Sequence, residues 1–122
     1  MNWLSTALRA QIETAIDALE ELSDIGVQRR RWSRNRGEMS SFTEAVESLF
    51  DDSGLGDEIE KGRSGLSAEA VTALAALSTA LRTIDPKRMP DEVIRDPAMQ
   101  KVRELAGTAM RLLRLESNVD SY

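Results

Sequence analysis

The sequence predicts an all-α protein: a small antiparallel bundle of about four main helices in a single domain covering residues 1–122. Three observations support this prediction. Apolar residues recur at spacings of three and four, which is the period of a helix buried on one face. Capping and helix-breaking residues separate these periodic stretches. Aromatic residues make up only 4% of the chain, whereas strands favour aromatic and β-branched side chains.

The first predicted helix covers about residues 3–25. An apolar stripe recurs along it at spacings of 4, 4, 3, 4 and 3: Leu4, Leu8, Ile12, Ala15, Leu19 and Leu22. We expect the opposite face to be exposed because it is polar, with Arg9, Glu13, Asp17, Glu20 and Glu21. The next stripe positions are Gly26 and Arg29, so the apolar pattern fails there. The helix is therefore predicted either to kink or stop near Gly26, or to continue to about residue 35 as an exposed arm.

Three further main helices are predicted at about 42–50, 68–84 and 97–116. Ser41-Phe42-Thr43-Glu44 matches the capping box that opens many helices. Ser67 is the predicted cap of the next helix, and Asp96-Pro97 gives an N-cap followed by proline at the first helical position. Pro90-Asp91-Glu92 is suited to a single turn. Residues 51–66 hold four glycines and are predicted to form a mobile glycine-rich loop.

A second copy of the chain is a candidate partner for two of these helices. The apolar stripe of the first helix can pack inside the domain or against another molecule. The helix at 68–84 is rich in alanine, which lets a neighbouring helix approach closely. A homodimer is accordingly one of our expectations, alongside packing within a single chain.

The composition excludes much common enzyme chemistry. The chain has no cysteine and no histidine, so it lacks a thiol nucleophile, an imidazole base and a Cys/His zinc site. We predict no cofactor and no metal ion. The N-terminus does not have the pattern of a signal peptide, and no stretch has the length of apolar sequence that a membrane span needs. We therefore expect a cytoplasmic protein with no membrane partner, and the preference for arginine and alanine suits a bacterial source.

An arginine cluster stands out in a chain with a net charge of −5. Residues 25–37 contain no acid and five arginines around one tryptophan: Arg29, Arg30, Arg31, Trp32, Arg34 and Arg36. Arginine suits phosphates and carboxylates, so the cluster could bind nucleic acid or an acidic protein. A dedicated nucleic-acid binder is usually basic, however, whereas this chain has a pI near 4.8. We expect the cluster to face solvent, to have the acids of residues 38–52 as its nearest partners, and to use Trp32 for packing more than for stacking.

An acidic stretch follows the cluster. Residues 38–62 contain eight acids and a single lysine. Four of these acids are predicted, together with the arginine cluster, to contact a partner: Asp51, Asp52, Asp57 and Glu58. Complementary charge speeds the encounter between two proteins, so an acidic surface suits a basic partner.

A second interpretation concerns magnesium. Glu20, Glu21 and Asp24 on the first helix, and Glu44 and Glu47 on the second, place acids one turn apart. This arrangement resembles the all-α nucleotide pyrophosphatases of the MazG type, which bind magnesium through acids on neighbouring helices. The resemblance covers these two helices, has Asp24 where the family has glutamate, and lacks the acid pair of a later helix. It implies Mg²⁺-assisted hydrolysis, which needs neither histidine nor cysteine.

The function that we predict is non-enzymatic. The chain is read as a small helical interaction protein that binds another macromolecule, of the antitoxin, immunity-protein, inhibitor or regulatory-adaptor type. Two alternatives stay open at this point. One is the Mg-dependent pyrophosphatase of the MazG-like type, and the other is a nucleic-acid-binding regulator that acts through the arginine cluster.

Overall fold

Seven α-helices and one π-helical segment make up the described part of the chain, which comprises residues 6–32, 41–60, 62 and 65–119 of a computed structural model. In order they are α1 (Thr6–Ser23), α2 (Ile25–Arg31), α3 (Phe42–Glu47), the π-helical segment (Ser48–Asp52), α4 (Leu55–Glu60), α5 (Ala68–Leu81), α6 (Pro90–Arg95) and α7 (Pro97–Val119). No strand occurs among these residues, so the all-α prediction is confirmed. Seven α-helices are described where about four main ones were predicted, and the antiparallel arrangement of the bundle stays a prediction.

One hydrophobic core joins these helices. The longest helix, α7, packs against both α1 and α5. Both α3 and the π-helical segment that continues it pack against α1, and α4 packs against the π-helical segment. Because α3 and α5 pack mainly against different helices, a groove separates them in the described part of the chain.

The apolar stripe of α1 is confirmed where the structure describes it. Ile12, Ala15, Leu19 and Leu22 are completely buried within the chain, while the predicted positions Leu4 and Leu8 lie outside the side chains that the structure describes. The described part of this stripe is therefore not available to a second copy. One prediction for the opposite face was wrong, because Glu21 is only 5% exposed.

The break after α1 occurs at Asp24, two residues before the predicted position at Gly26. The Asp24 carboxylate accepts hydrogen bonds from the Gly26 and Val27 amides, at 2.8 and 3.2 Å. These bonds satisfy the free N–H groups at the start of a helix, so Asp24 caps a new helix, α2. Arg29, Arg30 and Arg31 form its last turn, where positive charge suits the negative end of the helix dipole. Of the two alternatives, the structure therefore has the stop near Gly26, followed by a separate short helix up to Arg31, and residues 33–35 lie outside its described part.

The prediction of a glycine-rich loop over residues 51–66 was wrong for its first half. Residues Leu55–Glu60 form α4, and Leu55 is completely buried. Gly54 turns the chain with a φ of 78°, a conformation that glycine adopts without strain. A Cβ atom at Gly56 would lie 2.9 Å from the Phe50 carbonyl oxygen. These two glycines therefore allow a tight turn and close packing of α4.

The other predicted helix starts are confirmed. The Ser41 hydroxyl accepts from the Glu44 amide and the Ser67 hydroxyl from the Ala70 amide, both at 3.2 Å. Asp96 accepts from the Ala98 amide at 2.8 Å and pairs with Arg88 at 2.7 Å. The Ala98 hydrogen bond and the Arg88 contact lower the pKa of Asp96 below its usual value, with the backbone bond contributing most. The predicted turn at Pro90 is α6.

No helix among the described residues combines the length and the apolar character needed to cross a membrane.

Candidate functional site

The arginine cluster lies beside a buried carboxylate. Trp32 is 1% exposed, and its indole N–H donates a 2.7 Å hydrogen bond to Glu21. Arg31 approaches the other oxygen of the same carboxylate at 3.0 Å. The Trp32 ring meets Phe42 edge to face, with the ring centroids 5.8 Å apart. Both oxygens of the Glu21 carboxylate therefore accept a hydrogen bond, and these contacts join α1 to the end of α2.

Gln28 makes a second polar connection in the same region. Its side chain is completely buried. The amide nitrogen donates to the Glu21 and Leu22 carbonyl oxygens, at 3.1 and 2.8 Å, which would otherwise lack partners at the end of α1. The amide oxygen accepts from Arg103 on α7 at 3.0 Å. Gln28 thus links α1, α2 and α7 through three hydrogen bonds.

Arg103 completes this polar cluster. It also donates to the Ile94 carbonyl oxygen at 2.6 Å, which ties α6 to α7. Burial lowers the pKa of Arg103 below its usual value, and the nearby positive charge of Arg29 lowers it further. An arginine side chain nevertheless stays protonated in proteins. We call Glu21, Gln28, Arg31, Trp32 and Arg103 the polar hub.

The polar hub changes the interpretation of the arginine cluster. Arg29, Arg30 and Arg31 are exposed, as predicted, but within the described part of the chain the acid that pairs with Arg31 is Glu21. The packing role of Trp32 is confirmed, and its burial does not fit its assignment to a contact surface. Arg34, Arg36 and Glu38 lie outside the described residues.

The candidate magnesium ligands do not assemble in the described part of the chain. Glu21 is occupied by Trp32 and Arg31, while Glu20 pairs with Arg114 at 2.9 Å and Asp24 caps α2. No group of three or more described acids is placed where it could hold a metal ion.

An open groove has α3, the π-helical segment and α4 on one side and α5 on the other. Its two adjoining parts have volumes of about 380 and 770 Å³. Both parts share the same central residues: Val46, Glu47, Phe50, Ser78 and Arg82. We call this surface the α3–α5 groove. The π-helical segment contributes Phe50 to its wall, and π-helical turns are frequent at functional sites.

The two ends of the α3–α5 groove differ in chemistry. The smaller part is mainly apolar and is closed by Phe42, Leu81, Ile84 and Pro86. The larger part is lined by Ile59 and Leu74 but also by Asp51, Asp57 and Glu60. With Glu47, the described lining has four acids against one base, Arg82. The groove therefore combines an apolar floor with an acidic rim at one end.

Only part of this groove was anticipated by the sequence. Two of the four predicted acidic contact residues, Asp51 and Asp57, lie on its rim. Asp52 is exposed but does not line it, and the side chain of Glu58 lies outside the described part of the chain. The contribution of α5 was missed. Its signal was the polar pair Ser78-Thr79 inside an apolar helix, whereas the prediction for this helix considered its alanines and not this pair.

No protein-family model matches the chain, and neither the curated proteins nor the solved structures give a significant match.

Proposed function

We propose that this protein is a non-enzymatic interaction protein that binds another protein through the α3–α5 groove. The observation that carries the proposal is the apolar surface that Val46 and Phe50 expose between the helical walls of this groove, as far as the described residues extend. Val46 and Phe50 are partly exposed there, although both pack against the core. Apolar surface of this kind, rimmed by polar residues, is typical of protein interaction sites.

The acidic rim supports the same proposal. Glu47, Asp51 and Glu60 are exposed at the groove, and their field would attract a basic partner over about one Debye length, roughly 8 Å at physiological salt. An antitoxin, immunity protein, inhibitor or regulatory adaptor works in this way, because it acts by covering a surface of its partner. The chemistry needs neither a cofactor nor a catalytic base.

A photo-crosslinking experiment tests the proposal. A benzoylphenylalanine would be placed at Thr79, which lines the groove, or at Thr72, which is also exposed on α5 but does not line it. In lysate from the source cells, we expect one defined adduct from position 79, identified by mass spectrometry, and none from position 72. The adduct should disappear when Ser78→Trp fills the groove. Equal labelling at both positions, or none at position 79, would contradict the proposal.

A further inference from the structure

We infer that the occupant of the α3–α5 groove is a basic amphipathic helix of the partner, with its lysine and arginine residues concentrated at one end. This inference rests on the proposed function and specifies the partner's chemistry. It follows from three properties of the groove, namely the nature of its walls, its length and the uneven distribution of its charges.

The walls of the groove favour a helix over an extended peptide. An extended segment needs backbone hydrogen-bond partners, which an exposed strand edge supplies. Here the walls are α3, the π-helical segment, α4 and α5, whose backbone groups bond mainly within their own helices. A helix satisfies its own backbone groups, so it can dock by its side chains alone.

The length of the groove sets the size of the occupant. Along α5 the floor extends from Leu74 to Leu81 and on to Ile84. At 1.5 Å per helical residue this distance is about 10 to 15 Å, which corresponds to two to three turns. The apolar residues of the occupant should therefore recur at positions i, i+3 or i+4, and i+7.

The rim sets the charge of the occupant and where that charge lies. Asp51, Asp57 and Glu60 all lie at the end formed by the π-helical segment and α4, whereas Phe42 and Ile84 close the other end. A helix with apolar residues throughout one face and basic residues at one end matches both parts. A uniformly basic helix would place charge on Phe42 and Ile84.

Selection from a displayed library of helical peptides tests this inference on the full-length protein. The library should vary both charge and apolar spacing. We expect enriched sequences to share the i, i+3/i+4, i+7 pattern with lysine or arginine at one end. Enrichment of acidic sequences, of sequences without helical spacing, or of none would overturn the inference.

Binding measurements on charge-reversal variants make the test quantitative. The triple variant Glu47→Lys, Asp51→Lys and Glu60→Lys should bind the enriched peptides at least about tenfold more weakly, since each lost ion pair and each new repulsion adds. The matched control carries Glu13→Lys, Asp17→Lys and Glu92→Lys, three exposed acids that do not line the groove, and should bind within about twofold of the original protein. Equal weakening in both triple variants would overturn the inference, because it would reflect net charge alone.

One further variant separates failure of this inference from failure of the proposed function. If the enriched peptides are not basic but Ser78→Trp abolishes their binding, the groove is an interaction site and the inferred helix is wrong. If Ser78→Trp leaves binding of the enriched peptides unchanged, the groove proposal fails as well. A dimer that Ser78→Trp converts to a monomer would also overturn the inference, because the occupant would then be a second copy.

Discussion

The polar hub and the α3–α5 groove differ in how far their side chains are exposed to solvent. In the hub, Gln28 and Glu21 are buried and every buried polar side-chain atom described has a hydrogen-bond partner. In the groove, Val46 and Phe50 lie at an open surface. The hub includes part of the conspicuous arginine cluster, yet its polar groups bind one another within the chain. The groove has an ordinary sequence, but among the described residues it exposes apolar surface.

This difference shows that a segment of unusual composition need not form a surface that is available for binding. Arg31 and Trp32 form part of the most conspicuous segment of the chain, and both contact Glu21. The buried hydrogen bond from Trp32 to the Glu21 carboxylate stabilises the protein by about 1.5–3 kcal/mol, whereas the Arg31 contact is exposed on the arginine side and contributes less. For the acids around the apolar groove, the reason that we propose is a basic partner.

The largest effect on stability is expected from Gln28→Leu. This change removes the partner of the Glu21 and Leu22 carbonyl oxygens and one of the two acceptors of the Arg103 guanidinium, and should lower the free energy of unfolding by about 3 kcal/mol. Urea denaturation followed by circular dichroism measures it. The matched control is Gln100→Leu on the exposed face of α7, which should stay within about 0.5 kcal/mol. Equal effects would mean that Gln28 is not a structural link.

Trp32→Phe should have the next largest effect, about 2 kcal/mol, because the Glu21 carboxylate loses a buried donor while the ring contact with Phe42 can remain. In a Glu21→Gln background the loss should fall to about 1 kcal/mol, since the acceptor is then neutral. A double-mutant cycle of unfolding free energies measures this coupling. Additive losses would show that Trp32 acts through packing alone.

Glycine substitutions compare the wall of the groove with an open helix surface. Gly56→Ala should destabilise the protein by about 1 kcal/mol or more, because its Cβ would press on the Phe50 backbone, 2.9 Å away. Gly107→Ala meets nothing within 4 Å on α7, so its higher helix propensity should stabilise by about 0.5–1 kcal/mol. Thermal unfolding gives both signs. A stabilising Gly56→Ala would mean that α4 is not packed as described.

The smallest effect is expected when Arg29 and Arg30 are both changed to alanine. These side chains are exposed, and the unfolding free energy should change by less than about 0.5 kcal/mol. The crosslink from position 79 should be retained. Retention on DNA or RNA at about 50 mM salt that disappears in this double variant would instead favour the nucleic-acid alternative.

The sequence predicted the parts of this fold that depend on local patterns. Ser41, Ser67 and Asp96 start helices because a capping side chain acts on amides two or three residues away. The buried residues of α7 recur at spacings of three and four, the helical period: Met99, Val102, Ala106, Ala109 and Leu113. The cap at Asp24 was missed. The apolar stripe of α1 fails at Gly26 and Arg29, and we interpreted this failure as a kink, a stop or an exposed arm and not as the start of a second helix.

The site was harder to predict because it depends on contacts that are distant in sequence. The buried amide oxygen of Gln28 has its donor in Arg103, 75 residues later in the sequence. Glu21 is buried because Trp32 and Arg31, at the end of α2, donate hydrogen bonds to its carboxylate. The groove exists because α3 and α5 pack on different partners, α1 and α7. Spacing within one helix contains no information about any of these three arrangements.

Hydrogen–deuterium exchange of the protein, free and bound to the partner crosslinked at position 79, tests the central claim most directly. The account predicts added protection from exchange in residues 42–60 and 74–82, which form the walls of the α3–α5 groove. It predicts no change in residues 25–32, which comprise α2 and Trp32. Protection confined to residues 25–32, with the groove exchanging as in the free protein, would contradict it.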